Sequence, residues 1–225
     1  MYLQKNYVRH FIMNKDMMAI PDFGQGAMEN WGLVLYRESF LLYKDKVSTA
    51  QDKNTIAMVI SHELAHQWFG NKITCASWQD LWLNEGWATY SNAIALELIK
   101  SKEEFHEFLI KSISRATRNN GGAVYAYDTT NVNELFNGDM RYRKGAMVLH
   151  QLRWEIGDSA FFKATRNYLE NVAVCYGFAH TPDFIAEMEA TSKMDLTSFF
   201  DRLVYKEGFP MLTVEWKRIN SKTIH

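Results

Sequence analysis

The chain has 225 residues, a formal net charge of −1, 47% apolar and 14% aromatic residues, and two cysteines a hundred positions apart. That length and composition suit a large globular core that needs no disulfide scaffold. The balanced charge offers no basic field for gripping phosphates, which argues against nucleic acid as a partner. Met1–His10 carries no signal-peptide pattern, and no window reaches the ~18 uninterrupted apolar residues of a membrane helix. The compartment stays open, because two isolated cysteines do not fix it.

In chain order, Asp16–Ile20 and Trp31–Tyr36 read as strands joined by a glycine-bearing link at Gly24 and Gly26. At Ser48 or Thr49 the period changes. Ile56, Val59, Ile60, Leu64 and Trp68 recur at helical steps, predicting a helix up to Gly70. A second helix is predicted from about Gln79 to Lys100, interrupted only by Gly86. Further helical patterns cover Lys102–Arg118, Tyr142–Ile156, Ser159–Asn171, Pro182–Ser192 and Leu196–Lys206. After Gly208-Phe209-Pro210, the alternation Leu212, Val214, Trp216 predicts a strand. A few strands followed by a helical body point to an α+β class. Met17-Met18 and Trp78, Trp82 and Trp87 read as core residues, and His106, His150, His180 and His225 as structural ones.

His62-Glu63-Leu64-Ala65-His66 is the most informative stretch. Helical residues four apart are offset by only about 40°, so both imidazoles point the same way and can share one zinc ion. Glu63 sits where a carboxylate can take a proton from an activated water. A catalytic zinc needs a third protein ligand and one open position. Glu85, which follows His66 after 18 intervening residues, is the candidate if a short turn returns the next helix to the metal.

Four ordered motifs then resemble peptidase family M1, the gluzincin aminopeptidases: His62-Glu-Leu-Ala-His66-Gln-Trp-Phe-Gly-Asn71, Trp82-Leu-Asn-Glu85-Gly, Gly26-Ala27-Met28-Glu29-Asn30 and Tyr142-Arg143-Lys144-Gly145. The resemblance implies a thermolysin-like catalytic domain over residues 1–208, lacking its opening elements, with residues 209–225 entering a following β domain. It implies a zinc metallo-aminopeptidase that removes the first residue of peptides with a free N-terminus. His62, His66 and Glu85 would hold zinc, Glu63 would be the general base and Tyr142 would stabilise the oxyanion. Gly26, Ala27, Met28, Glu29 and Asn30 would form the substrate strand, with the Glu29 carboxylate receiving the terminal ammonium. Asn92 departs from the pattern, since many relatives carry glutamate there. The competing readings are a thermolysin-like endopeptidase, the leukotriene-hydrolase branch, and a catalytically impaired fragment or interaction module of the same family.

Overall fold

A computed structural model of the chain describes residues 16–118 and 122–211, with 213, 215 and 216. Three short strands come first: β1 (Asp16–Ile20), β2 (Ala27–Met28) and β3 (Leu33–Arg37). β3 lies in the middle, parallel to β1 and antiparallel to β2. One face is covered, with Val34 and Tyr36 buried on β3. Met17 and Met18 point to opposite faces of β1 yet are 52% and 47% exposed, which corrects the reading of both as core. β1 lies at the edge of the small sheet, where neither face is fully covered.

Helix α1 (Ala50–Ala65) begins where its cap dictates. The Thr49 side chain accepts from the Asp52 backbone N–H, while the Asp52 carboxylate accepts from the Thr49 N–H, a reciprocal box that satisfies two otherwise orphaned donors. The helix stops at Ala65, not at the predicted Gly70. Trp68 and Phe69 continue the apolar rhythm but leave the helical path. The Phe69 ring stacks on Trp87 with centroids 4.3 Å apart, and Gly70 takes a φ of +139°.

The link from α1 to the next helix is longer than a turn. It contains β4 (Ile73–Cys75) and a 3₁₀ turn at Trp78–Asp80 before α2 (Trp82–Ile99). β4 pairs in parallel with β5 (Gly177–Ala179), a hundred residues away, a two-stranded sheet that the sequence did not signal. Beside it, the buried Asp80 carboxylate accepts from the Thr181 backbone N–H (3.1 Å), the Thr181 hydroxyl (2.7 Å) and the His180 ring (2.8 Å).

α2 is buried through almost its whole length, from Trp82 to Ile94, and forms the axis of the helical body. Around it stand α3 (Lys102–Ala116), the single turn α4 (Val132–Leu135), a π-helical segment (Gly138–Lys144) running into α5 (Gly145–Ile156), and α6 (Asp158–Glu170). α7 (Thr181–Ser192), the turn α8 (Thr197–Phe200) and a second π-helical segment (Asp201–Tyr205) complete it. Trp82, Trp87, Phe161 and Phe184 interlock at the centre, with Trp82–Phe184 and Trp87–Phe184 edge-to-face at 5.9 Å. Trp78, grouped with them in the sequence, is instead 57% exposed.

Gly86 does not interrupt α2. It lies against Gly145 so closely that a Cβ on Gly86 would come within 3.0 Å of the Gly145 carbonyl carbon. Two facing glycines let the α2 and α5 backbones touch, as small residues do wherever helices approach closely. At the far end of α2, Arg153 of α5 joins Glu97 (2.7 Å) and Asp158 (2.8 Å). The strand expected at Leu212–Trp216 has Leu212 and Val214 outside the described residues, and Trp216 belongs to no assigned strand.

Candidate active site

His62 and Glu63 stand in the last turn of α1, His66 caps its C-terminal end, and Glu85 stands in the first turn of α2. The His62 and His66 Nε2 atoms are 3.1 Å apart. Glu85 Oε2 lies 3.2 Å from the first and 3.3 Å from the second. These three atoms form a nearly equilateral triangle, and a tetrahedral site with bonds of 2.0–2.1 Å sets its donors about 3.3 Å apart. The His66 Nδ1 atom faces the Phe69 carbonyl at 2.9 Å. Donation there fixes a proton on Nδ1 and turns Nε2 toward the triangle, the orientation of a histidine that ligates a metal once Nε2 gives up its own proton. Gly70 is part of this cradle, because a Cβ on it would come within 3.2 Å of His66 Nδ1. Two imidazoles and a carboxylate arranged this way fit a zinc ion.

The electrostatics of the same groups are those of a concentrated charge cluster. Burial works against a charged His66, but Glu85, Glu29 and Glu63 overrule it and lift its pKa to about 10. His62 moves down, first through burial and then through His66, against the pull of Glu85. Burial opposes the Glu85 carboxylate, yet the two histidines hold it far below the usual range. Glu63 is lifted by burial to about 8, with Glu29 and Glu85 adding to the lift and His66 opposing it. A carboxylate with its pKa near neutrality is suited both to accept and to return a proton.

Glu29 reaches the cluster from the sheet side. Its Oε1 lies 3.9 Å from His66 Nδ1. Its backbone carbonyl accepts from Asn71 Nδ2 at 2.7 Å and Gln67 Nε2 at 3.3 Å, and the two amides are joined at 3.0 Å. Gln67 and Asn71 thus tie the strand segment to the end of α1, a role unassigned in the sequence reading although both stand in the His62–Asn71 motif. Gly26, Ala27 and Glu29 line the cleft, while Met28 and Asn30 are exposed and do not. Strand alternation is the reason: every second side chain turns outward. Gly26 has a φ of +87° and sits 3.1 Å, measured from a would-be Cβ, from the Phe40 ring.

Tyr142 enters on the π-helical segment, its ring stacked along His62 with centroids 5.9 Å apart. Burial and then the Glu85, Glu29 and Glu63 carboxylates push its pKa far up, so the phenol stays protonated and available as a donor. The position of Tyr142 follows from its neighbours: Gly145 touches Gly86, one residue from Glu85, and the buried Lys144 donates to the Gly122 carbonyl at 2.9 Å. Asn92 accepts from the Ser61 hydroxyl, joining α2 to α1 one residue before His62.

Glu29, His62, Glu63, His66, Glu85 and Tyr142 open onto one cleft of about 700 Å³. From the cluster it continues past Met58 and Leu96 to a wall of α3 carrying Phe108, Lys111 and Arg115, with Arg143 beside Tyr142.

A family model described as the peptidase family M1 domain matches residues 1–209. The chain is 38% identical over 208 residues to aminopeptidase M1 of Arabidopsis thaliana, covering 90% of this chain and 23% of that protein. It is 34% identical over 223 residues to glutamyl aminopeptidase of Homo sapiens (95% and 23%). With aminopeptidase N of Lactococcus lactis subsp. lactis it shares 36% over 206 residues (88% and 24%). The chain spans about a quarter of the length of the curated relatives it matches.

Proposed function

The chain belongs to peptidase family M1, and on that premise we propose that it is the catalytic part of a zinc-dependent aminopeptidase with a thermolysin-like site. The reading rests above all on one observation: a carboxylate, Glu29, shares a cleft with the His62–His66–Glu85 triangle and approaches it from the strand side. His62, His66 and Glu85 would hold the zinc ion, and the bound ion supplies Lewis acidity, acidifying water and polarising a carbonyl.

The other steps belong to the chain's own side chains. Glu29 pairs with the terminal ammonium of the peptide, and β2 (Ala27–Met28), an edge strand of its sheet, offers its outer side for strand-like pairing with it. A peptide that continued past this point would leave the Glu29 carboxylate unpaired, which costs about 2–5 kcal/mol and disfavours internal bonds. Glu63 takes the proton from the attacking water, holds it on its carboxyl, and returns it to the leaving amine. Tyr142 donates its hydroxyl to the carbonyl oxygen as charge develops there, a contribution of about 3 kcal/mol for one such donor.

The test compares leucyl p-nitroanilide with its N-acetylated twin, with one equivalent of zinc present. Release of p-nitroaniline from the free amine alone is the expected result. Equal cleavage of both would replace this reading by an endopeptidase. No cleavage of either, by protein shown to have bound zinc, would point to an impaired relative.

A further inference from the structure

The α3 side of the cleft carries a cation that none of the steps above uses. Arg143 is half-buried, and its guanidinium sits over the Phe108 ring at 5.5 Å. Its Nη1 donates to the neutral Ser112 hydroxyl at 3.2 Å. Among the described residues no carboxylate lies within ion-pair distance of it. The neighbouring charges are already matched: Arg115 binds Asp139 at 2.7 Å and Lys111 binds Glu107 at 3.3 Å. Burial, followed by Arg115, weakens the charged form of Arg143, with Asp139 opposing. A partly desolvated guanidinium lacking a counter-charge is poised for an anion, and its planar fork suits a carboxylate held by two parallel bonds.

Where this cation stands relative to the other groups gives the ligand its place. Glu29 comes from the sheet and is tied to Gln67 and Asn71, whereas Arg143 is held against α3 and follows Tyr142 directly. A peptide whose ammonium meets Glu29 and whose carbonyl meets Tyr142 sends its next residue toward the α3 wall. We propose that Arg143 binds a carboxylate on the leaving-group side of the scissile bond, either an acidic second side chain or the free C-terminus of a dipeptide. This subsite rests on the aminopeptidase reading for its orientation, but the carboxylate preference is measurable without turnover.

Calorimetric titration of the zinc-loaded Glu63→Gln protein tests it with two matched pairs. Leucyl-alanine is compared with leucyl-alanine amide, and leucyl-glutamate amide with leucyl-glutamine amide. The proposal expects the acid of at least one pair to bind tenfold or more tightly than its neutral twin. The first pair reports a C-terminal carboxylate, and the second a side-chain one. Adding Arg143→Gln should bring the ratio close to one, and Arg143→Lys, which keeps charge but loses the fork, should lower it severalfold. Ratios near one in the Glu63→Gln protein, or ratios unchanged in both Arg143 variants, overturn the subsite. If the Gln variant loses its helical circular dichroism, the Lys variant alone decides. Failure of the unsubstituted, zinc-loaded protein to cleave leucyl p-nitroanilide despite a surviving acid preference would overturn the aminopeptidase reading and leave the Arg143 subsite standing.

Discussion

The two sides of the cleft are built in different ways. The triangle of His62, His66 and Glu85 stands on helices whose other faces are fixed by a buried aromatic cluster, with Trp82, Trp87 and Tyr90 fully enclosed. Glu29 follows directly on β2 of a three-stranded sheet, in a region where Met17, Met18 and Trp31 are about half exposed, and is joined to the end of α1 through Gln67 and Asn71. One side is positioned by close packing, which resists any change of volume. The other is positioned by a few polar contacts, each worth about 1 kcal/mol. In the proposed mechanism the chemistry belongs to the packed side and the recognition of the substrate amine to the tethered side.

That contrast is best broken at its strongest point. Replacing Glu63 by Gln should lower kcat about 10²–10⁴-fold while leaving zinc content unchanged. Stopped assays and metal analysis on one preparation would decide it, and near-normal turnover would remove Glu63 from the proton path. Tyr142→Phe should cost about 10²–10³ in kcat with little change in KM, since its bond strengthens only as charge develops. A change confined to KM would make Tyr142 a binding residue instead.

Two smaller effects sharpen the contrast. Gly86→Ala puts a methyl 3.0 Å from the Gly145 backbone, and there the only relief is for α2 and α5 to separate. Unfolding in urea should show a loss of about 1–3 kcal/mol, the scale of overpacking. Because the displaced element carries Tyr142, kcat should fall as well; a purely thermodynamic loss would show that Tyr142 is placed by other contacts. Asn71→Ala removes the shorter of the two bonds to the Glu29 carbonyl. It should raise KM for leucyl p-nitroanilide about tenfold, with kcat nearly intact and stability lower by about 1 kcal/mol. A KM that stays fixed would mean the strand holds Glu29 without this tether.

The packed side was also the more legible in sequence. The cap signal at Ser48 or Thr49 announces the start of α1, and the spacings within His62–His66 and on to Glu85 are compatible with the triangle. The helix end was misplaced because Trp68 and Phe69 keep a helical rhythm while serving the core from outside the helix. β4 and β5 escaped notice because each has three residues and their partners lie a hundred positions apart. No local pattern carries such a pairing. Only the last three residues of the π-helical segment Gly138–Lys144 fall within the helix expected at Tyr142–Ile156, since its wider turn leaves no periodic mark over seven residues. Gln67 and Asn71 were visible as letters of a motif, but their shared acceptor, 38 and 42 residues earlier, was not.

The β4–β5 pair and the Asp80–Thr181 bonds also set an order of events. The segment between His66 and Glu85 is closed by residues 177–181, which leave the ribosome roughly a hundred residues after it. Contacts of such separation form late and slowly. During synthesis, α1 and α2 emerge before the contacts that brace the link between them, and the proposed zinc site should gain its full affinity only once Thr181 has emerged. Nascent chains arrested before that residue should take up the metal far more weakly than chains arrested beyond the end of α7, a difference readable by zinc retention on stalled ribosomes.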